Sequence, residues 1–134
     1  MFDTKIAIIL LDELEVWKKL NVTSFLMSGI SGTQNIIGEE YIDKSLTRYL
    51  PMSRQPIMIF ESDRENLKTL LRKSLTKDTV ISIFTEELFQ TFNDEDNRKK
   101  IQEFYTDDLN LVGIGLKGKK QHIDKLLKGY KLHP

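Results

Sequence analysis

The sequence predicts a single α/β domain: a layered, largely parallel sheet with helices on both faces. Three observations carry that expectation. Four apolar runs read as strands, helical patterns separate them, and 134 residues with 40% apolar and 30% charged side chains fit one globule of ordinary size. No repeat, low-complexity tract or Pro/Gly/Ser-rich linker marks a boundary, so residues 1–134 are read as one domain.

The strands come first. They are Lys5 to Leu11 (KIAIILL), Pro56 to Phe60 (PIMIF), Thr79 to Thr85 (TVISIFT) and Leu109 to Leu116 (LNLVGIGL). The first two show almost no polar alternation, as expected of central strands covered on both faces. Pro56 lacks an N–H, which is tolerable at a strand's first residue.

The helices follow from capping and periodicity. Asn21 reads as an N-cap before Val22, Phe25, Leu26 and Ile30, with Leu20 and Phe25 as a hydrophobic staple and Gly29 and Gly32 as stop signals. Ser62 and Glu65 have capping-box spacing, and Leu67, Leu70, Leu71 and Leu75 then form one apolar stripe. Asn93 opens a shorter helix whose first turn holds Asp94, Glu95 and Asp96, favourable to its dipole. The last helix carries Ile123, Leu126, Leu127 and Tyr130 on one face, with Gly129 at its C-terminal cap. Residues Ser31 to Gln55 are too long and too apolar for a free connection. Ile36, Ile37, Tyr41, Leu46, Tyr49 and Leu50 predict an ordered excursion packed on the core.

Composition excludes several function classes. No run approaches the roughly 20 apolar residues of a membrane span. Charged residues flank and follow the short apolar amino-terminal stretch, unlike a secretory signal, so the expected location is cytoplasmic. The absence of Cys removes disulfides, a thiolate nucleophile and Cys-ligated zinc. Two His, at 122 and 133, do not build a polyhistidine metal site. Twenty Lys and Arg balance twenty Asp and Glu, so no global field drives the chain onto nucleic acid. No EF-hand or comparable ligand spacing is visible, and no metal or cofactor is assigned.

The end of the chain carries a resemblance. Leu111 to Leu116 (LVGIGL), a short basic gap and Ile123 to Leu132 (IDKLLKGYKL) resemble the end of the type-II peptidyl-tRNA hydrolases, where a strand ending in I-G-P precedes a helix of the form I-D-K-V-T-G-x-L-K-L. Segments Lys19 to Leu26 (KLNVTSFL), Tyr49 to Met52 (YLPM), Arg54 to Pro56 (RQP) and Thr85 to Phe89 (TEELF) are similar to an uncharacterised family, the domain of unknown function numbered two thousand. The resemblance implies the type-II hydrolase fold, a four-stranded mixed β-sheet with helices on both faces and one strand antiparallel to the rest. Hydrolases carry G-K-x-x-x-Q at the first helix. Here Lys19 takes the Lys position, Lys18 replaces the Gly and Thr23 the Gln. The hydrolases' D-A-G-x-T segment is replaced by Thr85-Glu86-Glu87, which moves the acid one residue on.

Ligands of open α/β sheets favour the crevice beyond the carboxyl ends of parallel strands. Asp12, Glu13, Glu61, Thr85, Glu86 and Glu87 fall there, and Lys18 and Lys19 stand before the predicted first helix. Two ammonium groups beside the free N–H groups of Val22, Thr23 and Ser24 suit a phosphate or carboxylate, and Arg54 reads as a further clamp on a carboxylate or, more simply, as a structural partner of a loop acid. Glu86 and Glu87 admit three roles: a general base raised by burial, an oxygen ligand to Mg²⁺ or Ca²⁺, or the ordinary first-turn acids of a short helix. Trp17 is the only Trp and lies beside the presumed crevice, as core cover or as a stacking surface. Lys117, Lys119, Lys120, Lys125, Lys128 and Lys131 make the final segment basic, which reads more simply as a solvated helix face than as a tRNA grip.

The expected function is binding of a small anionic molecule at this crevice. A second hypothesis is peptidyl-tRNA-type ester hydrolysis, with Lys19 orienting the ester and Thr85 or Glu86 positioning water. A third is a non-enzymatic interaction module or homodimer that pairs through the apolar excursion.

Overall fold

The structure, a computed structural model, describes residues 2–134. β1 (Thr4–Leu11) runs into α1 (Val16–Thr33), a small hairpin of β2 (Tyr41–Ile42) and β3 (Arg48–Tyr49), then β4 (Ile57–Ser62) and α2 (Arg64–Ser74). β5 (Thr79–Thr85), a 3-10 turn (Glu86–Gln90), α3 (Asp94–Gln102), β6 (Leu111–Lys119), α4 (Lys120–Leu126) and β7 (Lys131–Leu132) complete the chain.

The main sheet has the order β5-β6-β1-β4-β7. β1 pairs with β4 in parallel, and β6 lies antiparallel between β1 and β5. β1, β4 and β5 therefore share one direction, and β6 is the expected strand of opposite sense. The sheet has five strands rather than four, because Leu132 and Lys131 pair antiparallel with Phe60 and Glu61. That fifth strand reads in sequence as the end of the last helix. Instead α4 stops at Leu126, and Gly129, at a φ of 89° where a side chain would be strained, turns the chain back onto β4.

α1 packs on one face of the sheet and α2 and α4 on the other. β1 is buried throughout Ile6–Leu11, which explains its unbroken apolar run. The LVGIGL strand owes its glycines to α1. A Cβ on Gly113 would stand 2.6 Å from Val22 Cγ1, and one on Gly115 would collide with Ser82 Oγ. Without those side chains the helix settles onto β6 through Val22, Leu26 and Ile30.

Several local boundaries differ from the sequence reading. α1 begins after Glu15, so Asn21 is inside the helix and neither caps it nor frees the N–H groups of the next residues. The early start escapes periodicity because Val16, Trp17 and Leu20 lie on the exposed side of the helix. The Leu20–Phe25 staple is lost with that boundary, and Gly29 and Gly32 lie within the helix rather than ending it. α2 is capped by Asp63, which accepts from Asn66 N at 2.8 Å; Ser62 is the buried last residue of β4. α3 begins as expected, with Asn93 accepting from Asp96 N at 2.8 Å.

The excursion is not packed on the core. Only Ile36 of its apolar residues is buried, joined to Ile6 and Ile30. Leu46 and Leu50 are exposed, and the hairpin is held mostly by its own polar groups. Asp43 accepts from Tyr49 Oη at 2.7 Å and from Ser45 N at 2.8 Å, which shapes the turn and lets Leu46 take a positive φ.

Candidate functional site

The first turn of α1 and the 3-10 turn after β5 meet at the carboxyl end of the sheet. Lys18 joins them. Its ammonium lies 3.6 Å from Glu86 Oε1 and 3.6 Å from Glu15 Oε1. It also sits 4.7 Å from the centre of the Phe89 ring and 5.8 Å from that of Trp17, an arrangement favourable to a cation. The Lys18 side chain is only 20% exposed, yet neither carboxylate is at hydrogen-bond distance, so its N–H donors remain available.

An aromatic ladder extends from this cation. Trp17 meets Phe89 edge-on at 5.9 Å, Phe89 meets Phe84 at 5.0 Å, and Phe84 meets Phe25 at 5.8 Å between ring centres. Two adjoining hollows of about 360 and 430 Å³ share Phe25, Phe84, Leu88, Asp94 and Asn97. They form one groove between α1 and α3, floored by Ile83 and Phe84 of β5. Gly29 leaves room on the helix side, and Phe92 stands exposed at the lip. The groove combines an apolar floor with polar rims, the usual character of a small-molecule site.

The other anticipated residues are distributed unequally. Glu86 meets Lys18, and its N–H is held by the carbonyl of Asn110 at 3.0 Å. Glu87 turns inward: Oε2 accepts from Asn110 Nδ2 at 2.6 Å, and Oε1 is buried with no partner. Thr85 is buried beneath a register irregularity in the β5–β6 pairing. Lys19 does not join Lys18. Its Nζ donates to His133 Nε2 at 3.0 Å, so the imidazole carries its proton on Nδ1 and presents it to the Pro134 carbonyl at 3.1 Å.

Asn21 lines the groove from within α1, while Thr23 donates back to the Lys19 carbonyl at 2.8 Å. Arg54 is occupied far from Lys18 in the chain. Its Nη2 donates to the Asn35 carbonyl at 2.7 Å and to Asn35 Oδ1 at 3.3 Å, tying the excursion together. Glu86 and Glu87 do begin a short helix, here a 3-10 turn. Phe25, Phe84, Leu88 and Phe89 were not legible as site residues. Scattered aromatic positions in three elements carry no spacing that links them before the chain folds.

Among the described residues, no group of three or more His, Asp and Glu is placed to hold a metal ion, and no helix is long and apolar enough to cross a membrane.

Comparison with known proteins places this architecture among relatives. A solved structure of a protein of unknown function from Agrobacterium tumefaciens is 47% identical, covers the whole of both chains and superposes with a TM-score of 0.95. No curated protein matches the chain. The family model for proteins of unknown function, DUF2000, matches residues 4–134, and the chain belongs to that family.

Proposed function

We propose that the protein binds a small anion with an apolar or aromatic body in the groove between α1 and α3. The observation that carries this reading is the Lys18 ammonium, largely shielded from solvent against the Phe89 ring with its hydrogen-bond donors unspent. An anionic group takes those donors, and the body of the ligand lies along Phe89, Phe84 and Phe25. Trp17, the only Trp, borders the groove and reports its occupancy by fluorescence. Titration with N-acetylphenylalanine should change that fluorescence saturably. The uncharged amide analogue and the Lys18→Ala variant should each bind about tenfold more weakly, the cost of one lost charge-assisted hydrogen bond. An equal response to acid and amide, or no saturable response, overturns the reading.

A second reading, ester hydrolysis on the type-II peptidyl-tRNA hydrolase fold, draws on the Lys18–Glu86 contact. The resemblance puts its Lys at Lys19, which instead reaches His133; the neighbouring Lys18 is the cation that meets Glu86, the acid just after the strand that is β5 here. In such a reaction Lys18 orients the ester, and Glu86 takes a proton from the attacking water and returns it to the departing ribose oxygen, so that the peptide acid and the free tRNA hydroxyl are released. Thr85 has no part in it, since its side chain is buried. Hydrolysis of a peptidyl-tRNA that disappears in Lys18→Ala and persists in Lys19→Ala supports this reading; no turnover at high enzyme concentration removes it.

A further inference from the structure

β1 and β4 are parallel neighbours whose following helices, α1 and α2, pack on opposite faces of the sheet. The gap outside their carboxyl ends is thus a topological switch point, where α/β sheets open a crevice. A hollow of about 310 Å³ lies there, on the far side of β1 from the Lys18 groove. Asp12 follows β1, and Glu61 is the penultimate residue of β4; the Asp12 N–H bonds to the Ser62 carbonyl at 2.9 Å and draws the two strand ends together.

The opposite wall is the turn between α4 and β7. Gly129, through its positive φ, swings the chain so that Lys128 and Lys131 both border the hollow. Tyr130 anchors that turn by donating from Oη to the Asn66 carbonyl of α2 at 2.8 Å. Burial, with the Asp63 charge second, raises the Tyr130 pKa, which keeps the hydroxyl protonated as that donor. Asp63 is also committed, as the α2 cap.

The remaining charges are uncommitted. Asp12, Glu61, Lys128 and Lys131 border the hollow beside the capping carboxylate of Asp63, and none of the four makes a side-chain hydrogen bond or an ion pair among the described residues. This holds even though Glu61 and Lys131 are register partners on adjacent strands. The volume of the hollow is at the small end of ligand cavities.

We propose that this crevice binds a small zwitterion of the amino-acid or dipeptide class, with its ammonium against Asp12 and Glu61 and its carboxylate against Lys128 and Lys131. Such a ligand completes both charge pairs at once, and the half-buried Tyr130 supplies an apolar wall for its side chain. A ligand with one charge leaves one pair of the crevice unanswered and displaces water from it without return.

Isothermal titration of the full chain with alanyl-alanine, N-acetyl-alanyl-alanine and alanyl-alanine amide tests the proposal. Saturable binding of the zwitterion is expected, with each singly blocked form about tenfold weaker. Asp12→Asn should weaken alanyl-alanine while sparing the N-acetyl form, and Lys128→Gln should weaken alanyl-alanine while sparing the amide. Both positions are exposed and outside the strands, so these variants should fold as the parent does, checked by circular dichroism. Absence of saturable binding, or affinity indifferent to blocking either end, overturns the proposal.

Discussion

Lys18 Nζ stands 3.6 Å from Glu86 Oε1, so the first turn of α1 is coupled by charge to the turn that leaves β5. The adjacent Lys19 is directed elsewhere, to His133. One residue of helical rotation therefore assigns two neighbouring cations to separate parts of the molecule, because successive side chains on a helix diverge by about 100°.

That geometry predicts a separation of binding from stability. Lys18→Ala removes two ion pairs that are partly solvated and beyond hydrogen-bond distance, so the unfolding free energy should fall by less than about 1 kcal/mol. Chemical denaturation would show a midpoint close to the parent's, while binding in the groove weakens about tenfold. A large drop in midpoint would mark Lys18 as a structural residue.

Gly113→Ala should damage the packing of α1. The new methyl group would meet Val22 Cγ1 at 2.6 Å in a fully buried part of the core. Overpacking of this kind costs about 1–3 kcal/mol, readable by urea denaturation. Gly32→Ala, with nothing within 4 Å of its Cβ, should leave stability unchanged or raise it, as expected for Ala in a helix.

Asn110→Ala should loosen the 3-10 turn after β5. Asn110 supplies the Nδ2 donor to Glu87, and its carbonyl holds the Glu86 N–H. Loss of the side-chain bond leaves Glu87 with neither oxygen satisfied by the protein, at a cost of about 1–2 kcal/mol. Hydrogen exchange should quicken at residues 86–90 before it changes in β1.

The hairpin should respond to both extremes of pH. The bond from Tyr49, followed by the Thr47 N–H, lowers the Asp43 pKa from 3.8, while the same bond raises Tyr49 above 10.0. The Asp43 contribution is complete above the ordinary carboxylate value and is lost as pH falls through the lowered one. The Tyr49 contribution is complete below the ordinary phenol value and is lost as pH rises through the raised one. Between these limits the hairpin should show constant chemical shifts at Ser45 and Thr47. In Tyr49→Phe the acid limb should move up toward the ordinary carboxylate value; an unmoved limb would refute the assignment.

Within the sequence itself, the apolar runs of β1, β4, β5 and β6 and the Asn93 cap were legible, because period and local hydrogen bonding act over a few residues, whereas the α2 cap falls on Asp63 and not on Ser62. The family resemblance also supplied what periodicity lacks: that one strand runs against the others. Tertiary contact decided the rest. α1 begins six residues before Asn21 reads as a cap, since its first turn is held at the groove and not by an apolar stripe. β7 exists because Gly129 turns Lys131 and Leu132 onto the edge of β4, where their backbone groups find partners. The pairing of Lys18 with Glu86, the ladder from Trp17 to Phe25, and the unspent charges around Asp12 and Lys131 join positions far apart in the chain. No local propensity encodes such distances; they arise when burial of β1 between two helical layers brings the strand ends to one edge.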